Sequence, residues 1–345
     1  MSLPSSAGSA LPATGGAFSS PGATILGVEG LTLGADERSF LREADPWGFI
    51  LFARNVDSPD QLRRLTGDLR DAVGRDAVVM TDQEGGRVQR LRAPHWTDWP
   101  PALDGAADGA RAVELRHRLM GQELRAVGID ADAAPCLDIA DAATHPFLRD
   151  RCFGTDAASV AQMGRAAARG LLAAGVLPIV KHMPGHGRTR VDSHHDLPVL
   201  DIDLEALDRT DFAPFRALAD LPMGMTAHIR LTALDQRPAT ASPAAIALIR
   251  DRIGFGGLLM TDDIGMNALT GTPAERAAAA LGAGCDLVLA CNLTRAEFEA
   301  VAGAAGRMSP AAMARGEAAL ARRGPPDPCP PAELRAMLAA LTPRA

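Results

Sequence analysis

Lys181 is the only lysine in this chain of 345 residues, and every other long cation is arginine. A composition that disfavours lysine almost everywhere retains one where a compact ammonium, donating in three directions, fits and a planar guanidinium does not. A lysine in such a place could also form a Schiff base with a carbonyl substrate, as in a class I aldolase. A histidine cluster begins beside it, with His182, His186, His194 and His195 supplying four of the eight histidines. Imidazoles and carboxylates bind zinc, so a metal-dependent hydrolase is one reading of the cluster, although the spacing matches no standard ligand motif. Proton transfer is the other reading. Asp192-Ser193-His194 sets a carboxylate close to an imidazole; the carboxylate favours the imidazolium, so His194 can give up a proton and return as a base. Gly185 and Gly187 read as flexible points that would let this loop open and close over a substrate. Asp262 and Asp263 complete the set. Adjacent strand residues point opposite ways, so one of the two faces inward as nucleophile, base or charge partner of Lys181.

These groups follow short apolar runs. Eight runs, at 24–28, 49–53, 77–81, 129–137 (interrupted), 177–180, 223–227, 257–261 and 287–291, alternate with stretches of helical periodicity. Ser58-Pro59 reads as a helix start, after which Leu62, Leu65, Leu69 and Val73 share one face. Similar helices are expected near 109–126, 157–174, 203–219, 243–252, 274–283 and 294–305. Eight strand–helix units predict the α/β class and a single (β/α)8 barrel of the TIM type over 23–322. A disordered tail is expected at 1–22, and a Pro-rich linker with a short final helix at 323–345. A barrel places its chemistry at the carboxyl ends of its strands. Those ends carry Glu29, Arg54 with Asn55, Asp82 with Glu84, Asp138, Lys181 with His182, His228, Asp262 with Asp263, and Asn292, which would point polar groups from all eight strands into one mouth.

The bulk composition narrows the function classes. Net charge is -7, aromatic residues make up 4%, and tyrosine is absent. No basic stretch interleaved with aromatics exists to bind nucleic acid. No apolar run reaches the roughly 20 residues of a membrane span. The five cysteines (Cys136, Cys152, Cys285, Cys291, Cys329) form an odd set without a CxxC pair, which fits free thiols in a reducing compartment. The first 22 residues lack the basic and apolar regions of an export signal. A cytoplasmic, monomeric protein acting on a small molecule is expected.

Taken in order, GFILFARN (48–55), TDQEGGRVQR (81–90), APCLDIAD (134–141), DRCFGTD (150–156), KHMPGHG (181–187), DSHHDLP (192–198), MTAHI (225–229), GFGGLLMTDDIGM (254–266) and AGCDLVLACN (283–292) resemble the bacterial β-N-acetylhexosaminidases of glycoside hydrolase family 3. These are single-domain enzymes that trim N-acetylglucosamine from cell-wall fragments. The resemblance spans nearly the whole barrel, and KHMPGHG followed by DSH is its most specific part. It implies Asp262 as nucleophile, His194 as proton donor and later base, and Asp192 as the partner of His194. It implies that Asp82, Arg90, Arg151, Lys181 and His182 hold the sugar, and that no metal or other cofactor takes part. Met183, Cys152 and His145 stand where Phe, Ser and Asn are commoner in the family, a departure that bears on the aglycone more than on the chemistry. Rival readings keep other outcomes open: a β-N-acetylglucosaminide phosphorylase with the same residues, a metal-dependent barrel hydrolase using His182, His186, His194 and His195, or a non-catalytic sugar-binding barrel.

Overall fold

The computed structural model describes residues 20–190 and 196–342. Asp192, His194 and His195, together with most of the expected tail, lie outside the described residues. Segments buried on both faces read as continuous apolar runs, and the eight runs become eight parallel strands: β1 (Gly22–Gly27), β2 (Pro46–Leu51), β3 (Val78–Thr81), β4 (Ala131–Asp132), β5 (Leu177–Met183), β6 (Met223–Thr226), β7 (Leu258–Asp263) and β8 (Leu287–Ala290). Each strand pairs with its neighbours in sequence, and β8 returns to β1, with Thr24 opposite Val288, so the barrel is closed. β1 starts one residue inside the expected tail. β4 is short as a regular strand, and Pro135 has no N–H to offer the ladder. The carbonyls there still take part: Ala134 accepts from the Ile179 N–H at 2.9 Å, Pro135 from the Lys181 N–H at 3.2 Å, and the Leu137 N–H donates to the Lys181 carbonyl at 2.7 Å.

Alternation along the strands makes two apolar layers. Ile25, Ile50, Met80, Ile179, Met225, Met260 and Leu289 fill the barrel. Leu26, Phe49, Leu51, Val79 and Val288 face outward and pack with helical residues such as Leu62, Leu65 and Leu69. The helices start where side chains can satisfy their free N–H groups. Ser58 accepts from the Gln61 N–H ahead of Pro59–Val73, and Asp156 accepts from the Ser159 N–H ahead of Ala157–Ala173. Thr272 with Glu275 and Thr294 with Glu297 form capping boxes on Pro273–Ala283 and Arg295–Ala305. The single helix expected at 203–219 is instead two, Leu204–Arg209 and Ala213–Ala217. Pro214 cannot donate inside a helix and sits in the first turn of the second one. The expected final helix is Pro331–Leu341, whose Leu334 packs with Leu115, Leu119 and Met120 of helix Ala110–Arg125. No helix among the described residues is long and apolar enough to cross a membrane.

The floor of the barrel is closed by helix Pro310–Leu320, whose Ala312 and Ala319, with Met308 just before it, join the inner layer beside Trp47. Two buried carboxylates at strand starts fasten this region. Asp286 accepts from Arg315 at 2.6 Å, from Arg250 at 2.7 Å and from the Leu259 N–H at 2.9 Å. Asp130 accepts from the Val79 N–H at 2.8 Å, from Arg70 at 3.0 Å and from Arg323. Removing one member of a buried ionic cluster leaves uncompensated charge behind. Asp286→Ala therefore lowers unfolding stability by about 3–5 kcal/mol in urea denaturation; a change within about 0.5 kcal/mol would show that the floor is not held by this cluster.

Candidate active site

At the opposite end, the strand termini gather charge. Lys181, on β5 and only 2% exposed, lies 3.0 Å from Asp82 and 2.5 Å from Glu84, which follow β3, Glu84 in a short hairpin strand Gln83–Gly85. Arg90 donates to the other oxygen of Asp82 at 2.9 Å, and Arg151 makes two bonds of 2.8 Å to Glu84. An acid among these cations stays ionised despite its burial. Burial raises Glu84, but Arg151 and Lys181 outweigh it and hold the carboxyl at about 2; Asp82 is likewise held far below its ordinary range by Lys181 and Arg90. The same carboxylates raise Lys181 against the opposing effect of its own burial. Asp138, following β4, accepts from His182 Nδ1 at 2.7 Å and from the His186 backbone N–H at 2.6 Å. A carboxylate only accepts, so Nδ1 of His182 carries the proton and Nε2 is left to accept from Arg151 at 3.4 Å.

Phe147, Arg151, His182, His186, Ala227, His228 and Asp262 line one small cavity in this mouth. A larger cavity lies between helices Ala35–Ala44 and Arg295–Ala305, and Glu29 is the only strand-end residue among those lining it. As strand alternation requires, Asp262 and Asp263 part ways. Asp262 faces the cavity. Asp263 turns away, accepting from the N–H groups of Gly265 at 3.0 Å and Cys291 at 3.1 Å. Burial raises Asp262, yet the neighbouring His182 and His228, the Asp263 N–H and Lys181 bring it below its ordinary value. Asp263 ends above its ordinary value, raised mainly by burial. Two adjacent carboxyls thus differ, and the lower one is an ionised carboxylate available to an electrophile. His228 Nε2 faces the Asp263 carbonyl at 2.9 Å and must carry the proton, so Nδ1 accepts from Thr240 Oγ1 at 2.8 Å. This neutral imidazole fixes the Asp263 carbonyl, in the peptide that follows Asp263.

Of the residues singled out by sequence, Asp262, Arg151 and His182 come together on the cavity. Asp82, Arg90 and Lys181 form the charge network joined to it through Glu84 and Arg151. The roles of Asp192 and His194 fall outside the described residues. Not all eight strand ends serve this mouth. Glu29 is exposed and lies 3.6 Å from Arg295. Arg54 spans to Asn292 at 2.6 Å and to the carbonyls of Val28 and Cys291, and buried Asn55 donates to the carbonyls of Val28 and Gly30. These groups satisfy backbone at the β8–β1–β2 seam, a demand that any strand end can have. Gly185 and Gly187 are likewise set by packing. A Cβ on Gly187 would lie 2.0 Å from the Ile139 carbonyl oxygen, and Gly185 has a φ of +135° against Asp211. Glu84, Asp138 and His228 gain partners that their strand-end positions hinted at, His186 came from the histidine cluster and lines the cavity, and Phe147 carried no signal. Among the described residues the set close enough to share a metal ion is Cys136, Asp138 and His182, whose donor atoms lie within 4.8 Å of one another. It differs from the four-histidine set, and its members already hydrogen-bond to one another, Cys136 Sγ donating to Asp138 at 3.3 Å.

A testable consequence concerns Lys181. Its removal leaves Asp82 and Glu84 facing each other, each without one of its two cationic partners. Lys181→Met is expected to cost about 3–5 kcal/mol of stability near pH 7. In the intact protein Glu84, ordinarily 4.5, is depressed to about 2 despite its burial, with Lys181 among the causes. Its stabilising contribution is therefore complete above that ordinary value and disappears as pH falls toward about 2. Without Lys181 the Asp82 and Glu84 carboxyls take up protons nearer their ordinary values, so the deficit of the variant shrinks on acidification from about pH 7 to about pH 3. Urea midpoints at the two pH values measure this; a deficit that stays constant or grows contradicts the charge-compensation account.

Known proteins resemble this chain in sequence and fold. Residues 25–322 match the glycosyl hydrolase family 3 N-terminal domain. A beta-hexosaminidase of Methylococcus capsulatus is 40% identical over 281 residues, covering 79% of this chain and 83% of that protein. One of Bordetella parapertussis is 38% identical over 285 residues, 79% and 80% of the two lengths. Among solved structures, a glycoside hydrolase family 3 beta-N-acetylglucosaminidase from Paenibacillus is 34% identical with a TM-score of 0.81, over 87% of this chain. The chain spans 61% of that longer protein. NagZ from Neisseria gonorrhoeae, solved in complex with N-trifluoroacetyl-D-glucosamine, is 28% identical with a TM-score of 0.81, over 94% of this chain and 96% of its own. With the closed barrel and the charged mouth that it carries, the chain belongs to glycoside hydrolase family 3 and is a glycoside hydrolase.

Proposed function

We propose that the chain is a retaining exo-β-N-acetylglucosaminidase that removes terminal N-acetylglucosamine from peptidoglycan-derived fragments, as a cytoplasmic monomer with no metal or organic cofactor. The observation that carries the reading is the ionised Asp262, fixed on the rigid end of β7 in a cavity it shares with Arg151, His182 and His228. The sugar is inferred from relatives named beta-hexosaminidase and beta-N-acetylglucosaminidase, and from the glucosamine derivative in the Neisseria structure.

In this mechanism the Asp262 carboxylate attacks the anomeric carbon while the glycosidic C–O bond breaks and His194, paired with Asp192, protonates the leaving oxygen. Neutral His194 then takes a proton from water, which attacks the same carbon and releases Asp262. Two inversions give net retention. Arg151 and His182 bond the sugar from the cavity wall. Asp82, with its side chain 15% exposed, and Arg90, at 26%, reach it from the network, and Lys181 keeps Asp82 charged and in place.

Release of 4-nitrophenol from its β-N-acetylglucosaminide tests the reading. Wild type is expected to be active and insensitive to EDTA. Asp262→Ala is expected to lose about a thousandfold or more, and His194→Ala about 100- to 10,000-fold. Inactive wild type, or full activity without Asp262, would overturn it. Formation of sugar 1-phosphate when phosphate is supplied would identify a phosphorylase instead.

A further inference from the structure

We propose that His186 is a substrate-binding residue, its two ring nitrogens hydrogen-bonding hydroxyl groups of the bound sugar. The inference rests on the glycosidase reading above and adds a contact to it. His186 is 3% exposed, and neither Nδ1 nor Nε2 has a hydrogen-bond partner. Buried polar groups are almost always satisfied, and one that is not marks a place where a missing partner belongs. The ring lines the same small cavity as Asp262, Arg151, His182 and His228.

Three described histidines line that cavity, and their rings differ in one respect. His182 is engaged on both nitrogens by Asp138 and Arg151, and His228 by Thr240 and the Asp263 carbonyl. His186 alone keeps both free. Its backbone is nonetheless fixed: the N–H donates to Asp138 Oδ1 at 2.6 Å, the carbonyl accepts from Thr189 Oγ1 at 2.9 Å, and Gly187 packs against Ile139. The Phe147 ring stands edge-on at 5.9 Å. A rigid backbone carrying an unengaged polar ring is how a binding residue is held ready.

The chemistry of the ring selects the ligand group. Burial, with Arg151 and His182 nearby, outweighs Asp138 and Asp262 and lowers His186 to about 4, so the ring is neutral at pH 7. A neutral imidazole offers one N–H donor and one acceptor nitrogen. A carboxylate or phosphate satisfies only the donor, and a cation meets Arg151. Hydroxyls both donate and accept, so two neighbouring sugar hydroxyls satisfy both edges.

His186→Phe keeps a ring of similar size and removes both nitrogens. For the 4-nitrophenyl substrate, kcat/KM is expected to fall by about tenfold or more, while the melting temperature of the free protein stays level or rises because the unsatisfied atoms are gone. Substrates lacking one ring hydroxyl at a time locate the contact. Wild type loses activity against a particular deoxy analogue, and His186→Phe loses nothing further against that same analogue. In wild type with isotope-labelled histidine, the His186 ring nitrogens shift on addition of N-acetylglucosamine, a readout that needs no variant. Unchanged kcat/KM in the variant, additive losses for every analogue, or ring nitrogens unmoved by saturating sugar would each overturn the assignment. Each of those results is read in an active enzyme, whereas inactive wild type would overturn the glycosidase reading itself.

Discussion

One ammonium, buried between two carboxylates, organises the mouth of this barrel. Lys181 has almost no contact with water, and its charge is tolerable only because Asp82 and Glu84 lie within 3.0 Å. Those carboxylates need more positive charge than one lysine brings, and Arg90 and Arg151 supply it from separate loops. Satisfying one buried charge therefore draws in the loops after β3 and β4 and fixes their side chains with few rotamers to spare. Arg151 passes the arrangement on, since the guanidinium that grips Glu84 also faces His182, which is oriented from its other edge by Asp138. His182 and Lys181 in turn help to keep Asp262 ionised. A wide guanidinium in place of Lys181 would not fit between two acids at such distances, which gives a physical reason for one lysine in a chain otherwise furnished with arginine.

The rest of the barrel supplies rigidity. The mouth is held by strand ends whose other ends are anchored in an apolar interior, and that interior is sealed from below by helix Pro310–Leu320 with the Asp130 and Asp286 clusters. Charge is used at both ends, differently. Below, each acid accepts from arginines and a backbone N–H through both of its oxygens. Above, Asp262 accepts from the Asp263 N–H and otherwise opens on the cavity, and His186 keeps two nitrogens bare. Reactivity resides where satisfaction is incomplete.

Much of this was legible in the sequence. Barrel strands are covered on both faces, so each appeared as an unbroken apolar run; even the run at 129–137 was recognisable despite Pro135. The chemical residues were legible as polar positions directly after those runs, and the motifs around Lys181 and Asp262 resembled one family. What stayed hidden depended on contacts across the fold. Glu29, Arg54 and Asn55 look like mouth residues by position, yet their partners are a helix residue and backbone carbonyls at the seam. Ser309-Pro310 carries a start signal like that of Ser58-Pro59, but nothing in PAAMARGEAAL says that its helix crosses the barrel floor. Gly187 reads as a hinge until the Ile139 carbonyl is placed against it. The bare ring of His186 follows from three-dimensional neighbours that no spacing encodes.

The central claim is that Asp262 becomes covalently bonded to the sugar. The most direct measurement is rapid quenching of wild-type enzyme during turnover of an activated β-N-acetylglucosaminide, followed by intact-mass analysis and peptide mapping. The account predicts a protein heavier by one N-acetylhexosaminyl group, with the added mass on the peptide containing Asp262 and the β-anomer as first product. Added mass on another residue, or release of the α-anomer without an adduct, would contradict it.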